Sequence, residues 1–90
     1  MVSTPEIRVD CPEEIKFQIA KEAQSAFPEH KVDTIDGVRV TFEKGWGLVR
    51  ASNTQPVLVM RFEAESPELL ETYKKTVIDQ IEDIKARLSR

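Results

Sequence analysis

The chain has 90 residues and a mass of 10.3 kDa, which predicts a single domain spanning residues 1–90 with little interior for a deep active site. Apolar residues make up 40% of the chain and charged residues 32%, the balance of a folded soluble globule rather than of a disordered tail. The longest apolar run, residues 57–60, is too short to span a membrane, and the single cysteine, Cys11, excludes an internal disulfide and a cysteine-based zinc site.

The formal net charge of −3 is distributed unevenly along the chain. Residues 1–30 carry −3, residues 31–62 carry +2 and residues 63–90 carry −2. A locally positive centre in an acidic chain suits one small anion bound at one place, whereas a nucleic-acid groove needs a broad basic face. We therefore expect no nucleic-acid partner. The first six residues lack the basic start and the apolar stretch of a signal peptide, which predicts a cytoplasmic location.

A short strand and a helix are predicted in the first third of the chain. Residues 6–9 are typical of a strand, and Pro12 is tolerated as the first residue of a helix. Glu13 and Glu14 follow in the turn where the helix dipole favours acidic groups. Apolar residues then recur every fourth position, which predicts one buried stripe on a helix that ends before Pro28: Ile15, Ile19, Ala23 and Phe27.

The middle of the chain alternates with a period of two, which predicts antiparallel strands. Asp36-Gly37 is a two-residue hairpin signal between two of these runs. Residues 52–56 are typical of a polar turn between two others. The predicted strands are residues 32–35, 38–42, 46–51 and 57–64.

A second helix is predicted at the C-terminal end. Ser66 can cap it, Pro67 fills the first position and Glu68 follows in the first turn. An apolar stripe continues over about six turns, and it predicts packing against a sheet, with a homodimeric coiled coil as the alternative. The fold class is therefore α+β: an antiparallel sheet of four to five strands with both helices on one face. The stripe consists of Leu70, Tyr73, Val77, Ile81, Ile84 and Leu88.

The loop that follows Val49 concentrates hydrogen-bond donors. Arg50, Ser52, Asn53 and Thr54 supply a guanidinium, two hydroxyls and a carboxamide within five residues, and none of them is negatively charged. A phosphate dianion suits this set, because it accepts many hydrogen bonds and the planar guanidinium fork matches two of its oxygens. The alternative is a polar hairpin loop beside an exposed arginine, since such residues are common in turns.

The sequence resembles the C-terminal domain of the α-D-phosphohexomutases, and of bacterial phosphomannomutase/phosphoglucomutase enzymes in particular. The similarity extends over essentially the whole chain and is strongest in residues 36–40, 45–56 and 62–64. Its most specific part is the Arg-Ala-Ser-Asn-Thr loop, in which Asn53 stands where many family members have Gly. Gln55 departs from the Glu that is often found before the proline. The resemblance implies a fold like that of the TATA-box-binding protein.

The resemblance also implies a four-domain parent enzyme that interconverts hexose 1-phosphates and 6-phosphates through a bisphosphorylated sugar. A phosphoserine in the first domain, a Mg²⁺ loop in the second and a sugar-reading loop in the third complete such a site. By motif match, Arg50, Ser52, Asn53 and Thr54 would bind the substrate phosphate that is not being transferred. The implied partners are a phosphosugar and the three other domains, and the isolated domain is expected to be a monomer.

No motif for catalysis or metal binding is present in the sequence. The serine loop, the aspartate-rich metal loop and the sugar loop of the family are missing, so these 90 residues are expected to be inactive alone, with no cofactor of their own. Two acidic pairs, Asp33 with Asp36 and Glu82 with Asp83, lack a third group at metal-ligand spacing and are interpreted as solvated surface. The alternative function is a free-standing, non-enzymatic module that binds a small anion or a partner protein.

Three further side chains could act chemically, but a structural role is favoured for each. His30 has no second histidine or nearby base partner, which favours a surface residue. Cys11, before a helix, could have a lowered pKa, but a small residue at a helix boundary is favoured. Trp46 could stack on a sugar, but packing on a sheet face is favoured.

Overall fold

The computed structural model describes residues 1–35 and 37–89, which form six strands and two helices. Asp36, the first residue of the predicted hairpin signal, lies outside the described residues. The elements are β1 (Val2–Ser3), β2 (Ile7–Asp10), α1 (Lys16–Ala23), β3 (Lys31–Asp33), β4 (Val38–Phe42), β5 (Gly45–Ala51), β6 (Val57–Ala64) and α2 (Pro67–Leu88).

All strands belong to one antiparallel sheet in the order β1-β6-β5-β4-β3, and β2 also pairs with β6. β5 lies along the other side of β6, so β1 and β2 share the remaining edge of that long strand. The predicted α+β class is therefore confirmed. The sheet has six strands rather than four to five, because β1 spans two residues and is too short to show a period in the sequence.

One face of the sheet is covered by both helices. Alternate residues of β4, β5 and β6 are buried there against apolar side chains of α1 and α2, as the predicted sandwich requires. The opposite face is open, and it presents arginines of four strands. The largest residues buried on the helix side include Ile19, Val40, Val49, Met60, Phe62, Val77 and Ile81.

α2 begins as the sequence predicts. Ser66 is extended, and its Oγ accepts a hydrogen bond from the Leu69 backbone N–H at 3.2 Å, while Pro67 occupies the first turn. The apolar stripe packs on the sheet rather than on a second helix of the same kind. Tyr73 of this stripe stacks on Phe42, the last residue of β4, with ring centroids 4.2 Å apart.

α1 is shorter than predicted at both ends. It begins at Lys16 rather than at Pro12, because residues 13–15 form a separate turn closed by a hydrogen bond from the Ile15 N–H to the Pro12 carbonyl. It ends at Ala23 rather than before Pro28, because the next three N–H groups bond carbonyls three residues back. Such bonds tighten the chain into 3₁₀-type turns.

The β3–β4 connection also differs in its bounds from the prediction. β3 ends at Asp33 rather than at residue 35, because the Asp33 carboxylate accepts a hydrogen bond from the Ile35 N–H at 2.9 Å and starts the turn early. Gly37 has a φ of 108°, and a Cβ there would lie 2.7 Å from the Val49 carbonyl oxygen. Glycine therefore lets this turn lie against the base of Arg50.

We expect Ser66→Ala to lower the free energy of unfolding by about 1 kcal/mol, because it removes the side-chain cap from the first turn of α2. Urea unfolding followed by circular dichroism measures this loss. Ser89→Ala, at the opposite end of the same helix, is the matched control and should change stability by less than about 0.5 kcal/mol. If the two variants were equally stable, the Ser66 side chain would not stabilise the start of α2.

Candidate functional site

The four predicted phosphate-binding residues lie together at one end of the sheet. Arg50 is the next-to-last residue of β5 and is exposed on the open face, and Ser52, Asn53 and Thr54 follow in the loop to β6. All four line a shallow concavity of about 490 Å³. The structure thus brings the guanidinium, both hydroxyls and the carboxamide to a single surface.

The loop backbone is organised around the Ser52 hydroxyl. Its Oγ accepts hydrogen bonds from the Thr54 and Gln55 N–H groups, each at 3.2 Å. The Ser52 N–H in turn donates to the Val57 carbonyl at 3.1 Å, which closes the base of the loop. A hydroxyl has one proton to donate in addition to its lone pairs, so Ser52 can hold the loop and still donate to an anion.

The loop is held on its inner side by two groups, one directly after β2 and one in the first turn of α1. The Lys16 side chain is 0% exposed. Its ammonium donates to the backbone carbonyl of Gln55 at 3.0 Å and pairs with a Glu13 carboxylate oxygen at 2.9 Å. The Cys11 N–H donates to the Pro56 carbonyl at 2.9 Å. A buried ammonium needs such partners because its desolvation is costly, so this contact fixes the position of the loop.

Sequence reasoning missed Lys16, although a signal for it was present. Lys16 stands three residues before Ile19 and seven before Ala23, and this spacing places it on the apolar face of the helix. A lysine on a buried stripe requires an acceptor in the interior. Which acceptor it finds depends on the fold, because Gln55 is 39 residues away.

A second arginine reaches the concavity from β2 and was also missed. Arg8 Nη1 donates to the Gln55 side-chain oxygen at 2.9 Å, and its Nε donates to a Glu6 carboxylate oxygen at 3.3 Å. The alternation of Ile7 and Val9 places Arg8 on the open face, but the sequence gives no sign that β2 lies near the loop. The site therefore holds two guanidinium groups rather than one.

Cys11, His30 and Trp46, the three side chains considered singly in the sequence, each contact neighbouring residues of the fold. Burial raises the pKa of the Cys11 thiol, and this effect exceeds the opposing influence of Lys85 and Lys16, so the suggested lowered pKa is wrong. His30 is half-buried with its ring edge on Phe42, at a centroid distance of 4.7 Å. The His30 ring is therefore partly packed against β4 rather than fully exposed, as a simple surface residue would be.

Trp46 packs on the open face of the sheet, as the sequence predicts. Its Nε1–H donates to a Glu63 carboxylate oxygen at 3.2 Å, and the Arg39 guanidinium lies 4.5 Å from its ring centroid. One face of the ring and its Nε1–H are thus engaged by side chains of the neighbouring strands, and Trp46 does not line the concavity. Trp46 pairs with Thr41 on one side and Glu63 on the other.

Two further properties concern the described residues only. Within residues 1–35 and 37–89, no three His, Cys, Asp or Glu side chains come close enough together to hold a metal ion. In the same part of the chain, neither helix combines the length and the apolar character needed to cross a membrane.

The fold and the site define a small α+β domain with a donor-rich loop at one end of its sheet. The family model for the C-terminal domain of phosphoglucomutase/phosphomannomutase matches residues 6–80. The chain belongs to this family, which confirms the resemblance seen in the sequence.

Known proteins of the same family match most of the chain. It is 47% identical over 89 residues to a phosphomannomutase/phosphoglucomutase of Pseudomonas aeruginosa, covering 97% of this chain and 19% of that protein. It is 56% identical over 72 residues to one of Pseudomonas syringae pv. tomato, covering 78% and 16%. A solved phosphoglucomutase/phosphomannomutase family protein of Burkholderia thailandensis superposes with a TM-score of 0.74 at 35% identity, covering 93% and 18%. The chain thus spans about a fifth of the length of these relatives.

We expect Lys16→Met to lower the free energy of unfolding by about 1–3 kcal/mol, because it leaves the Gln55 carbonyl without its buried donor. The amide signals of the loop should shift more than those of β3, which lies at the far edge of the sheet. Lys21→Met, at an exposed position of the same helix, should leave both properties nearly unchanged. A Lys16→Met variant as stable as Lys21→Met would show that the ammonium does not fasten the loop.

We expect the Cys11 thiol to react slowly with iodoacetamide at pH 8 in the folded protein and rapidly in 8 M urea, because only the thiolate attacks. The folded pKa is raised, so the thiol contributes stability at neutral pH that is lost as the pH rises through that raised value. Mass spectrometry of the alkylated protein measures the rates. Equal rates in buffer and in urea would contradict the burial of this residue.

Proposed function

We propose that this chain is the domain of a phosphomannomutase/phosphoglucomutase that binds the substrate phosphate not being transferred. The parent enzyme would interconvert hexose 1-phosphate and hexose 6-phosphate through a hexose 1,6-bisphosphate. The observation that carries the proposal is the convergence of Arg50, Ser52, Asn53 and Thr54 on one concavity, on a chain of this family.

The chemistry of these donors suits a phosphate monoester. Such a group carries about −1.5 to −2 charges at neutral pH and three strong acceptor oxygens. Arg50 supplies a fixed positive charge and a planar fork for two of these oxygens. The Ser52 and Thr54 hydroxyls and the Asn53 amide supply donors for the rest, and the hydroxyl of Ser52 is already held in place by the loop backbone.

A loop of this kind suits a reaction in which the bisphosphate must turn round between two phosphoryl transfers. Each end of the sugar then has to occupy the same site in turn, so the site must recognise phosphate rather than one face of the sugar. Hydroxyl, amide and guanidinium donors meet that need, because they bind the group that both ends share. Binding energy from this remote phosphate would position the reacting end and favour closure around it.

The remaining parts of the mechanism would lie in the other domains of the parent. A phosphoserine and a Mg²⁺ site are needed for phosphoryl transfer in this scheme, and the acidic residues described here do not come together to hold the ion. The role we assign to this chain is therefore to bind and orient substrate, in a cytoplasmic enzyme whose catalytic groups are elsewhere.

We expect glucose 6-phosphate to shift the amide signals of residues 50–54 at one weak site, with a dissociation constant on the order of millimolar. Two-dimensional NMR of the labelled chain measures the shifts. Arg50→Ala should weaken binding by about tenfold or more without unfolding the protein, because it removes charge-assisted hydrogen bonds from an exposed side chain.

Arg39→Ala is the matched control. It removes a guanidinium from the same sheet face, but that group lies over Trp46 and outside the concavity. Binding by Arg39→Ala should stay within about twofold of the unsubstituted chain. Shifts confined to other residues, or an equal loss in both variants, would contradict the assignment of this site.

A further inference from the structure

We infer that Arg8 is a second direct ligand of the phosphate, so that the site is a clamp of two guanidinium groups. This inference rests on the proposed function of the loop and extends it to a residue outside the loop. It begins with the position of Val59. In the antiparallel sheet, Val59 pairs with Arg8 of β2 on one side and with Arg50 of β5 on the other.

Paired residues of neighbouring antiparallel strands project from the same face of the sheet. Arg8, Val59 and Arg50 therefore form one row across the open face, and all three line the same concavity. The two arginine Cα atoms are two strand spacings apart, about 10 Å. Their long side chains thus flank the concavity from opposite sides, with the apolar Val59 as its floor.

The Arg8 guanidinium is already held at the rim of the loop. Its Nη1 donates to the Gln55 side-chain oxygen at 2.9 Å, directly after Thr54 in the chain. Its Nε donates to Glu6, an exposed contact at 3.3 Å that costs little to rearrange. Of its five N–H donors, three have no protein partner within the described residues and remain for a ligand.

The charge of the ligand supports two cations rather than one. A phosphate monoester near −2 is only half neutralised by Arg50. Glu6 also lines the concavity, and its carboxylate would repel the ligand if nothing stood between them. Arg8 pairs with Glu6 and contacts the loop through Gln55. Its positive charge therefore reduces the repulsion from the Glu6 carboxylate, and its remaining donors are available to the phosphate.

Titration of the 90-residue chain with glucose 6-phosphate tests the inference, using Arg8→Gln and the control Arg39→Gln. Arg8→Gln should raise the dissociation constant by about tenfold, since it removes one charge-assisted interaction. Arg39→Gln, on the same sheet face but outside the concavity, should stay within about twofold of the unsubstituted chain. In that chain, the Arg8 Nε–H signal should shift on titration, a readout that does not depend on the folding of any variant.

Three outcomes would overturn the inference, and they can be told apart. If Arg8→Gln binds like Arg39→Gln while Arg50→Ala fails to bind, the loop site stands and Arg8 is not a ligand. If Arg8→Gln loses affinity but the Arg8 Nε–H signal of the unsubstituted chain does not shift on titration, Arg8 acts only by holding the loop. If the unsubstituted chain shows no shift at residues 50–54, the proposed function fails together with the clamp.

Discussion

The register of β5 against β6 is the constraint on which the core, the open face and the loop all depend. The two strands pair from Gly45 opposite Ala64 to Ala51 opposite Leu58, and residues 52–56 close the end of this ladder. Side chains alternate between faces, so a slip by one residue would turn Arg50 toward the helices and Val49 toward solvent. The same register that buries Val49 therefore presents Arg50 beside the loop.

The loop of residues 52–56 is fixed by hydrogen bonds on its inner side and presents polar side chains on its outer side. On its inner side, Lys16 of α1 and Cys11, directly after β2, bond the backbone carbonyls of Gln55 and Pro56. In front, the side chains of the loop face the concavity beside two arginines. Fixing the backbone in advance lowers the entropy lost on binding, so an exposed and shallow site can still select one chemical group. Burying the Lys16 ammonium has a desolvation cost, which its two partners offset.

Local patterns predicted those parts of the structure whose causes are local. The alternation in β4 and β6 gave both strands with the bounds that the structure has, and Ser66-Pro67 gave the start of α2. The ends of α1 were misplaced, because Ile15 and Phe27, which continue its apolar spacing, pack on the core from turns that lie outside the helix. The bounds of β3 depended on the Asp33 side chain rather than on hydrophobic pattern.

The sequence predicted the four loop residues of the site but neither Arg8 nor Lys16, whose roles arise from pairing across long stretches of chain. The central claim is that phosphate binds at this loop, and a crystal structure of the chain with glucose 6-phosphate tests it most directly. We predict phosphate oxygens within about 2.7–3.2 Å of the Arg50 guanidinium and the Ser52 hydroxyl. A phosphate bound elsewhere, with the concavity empty, would contradict the account.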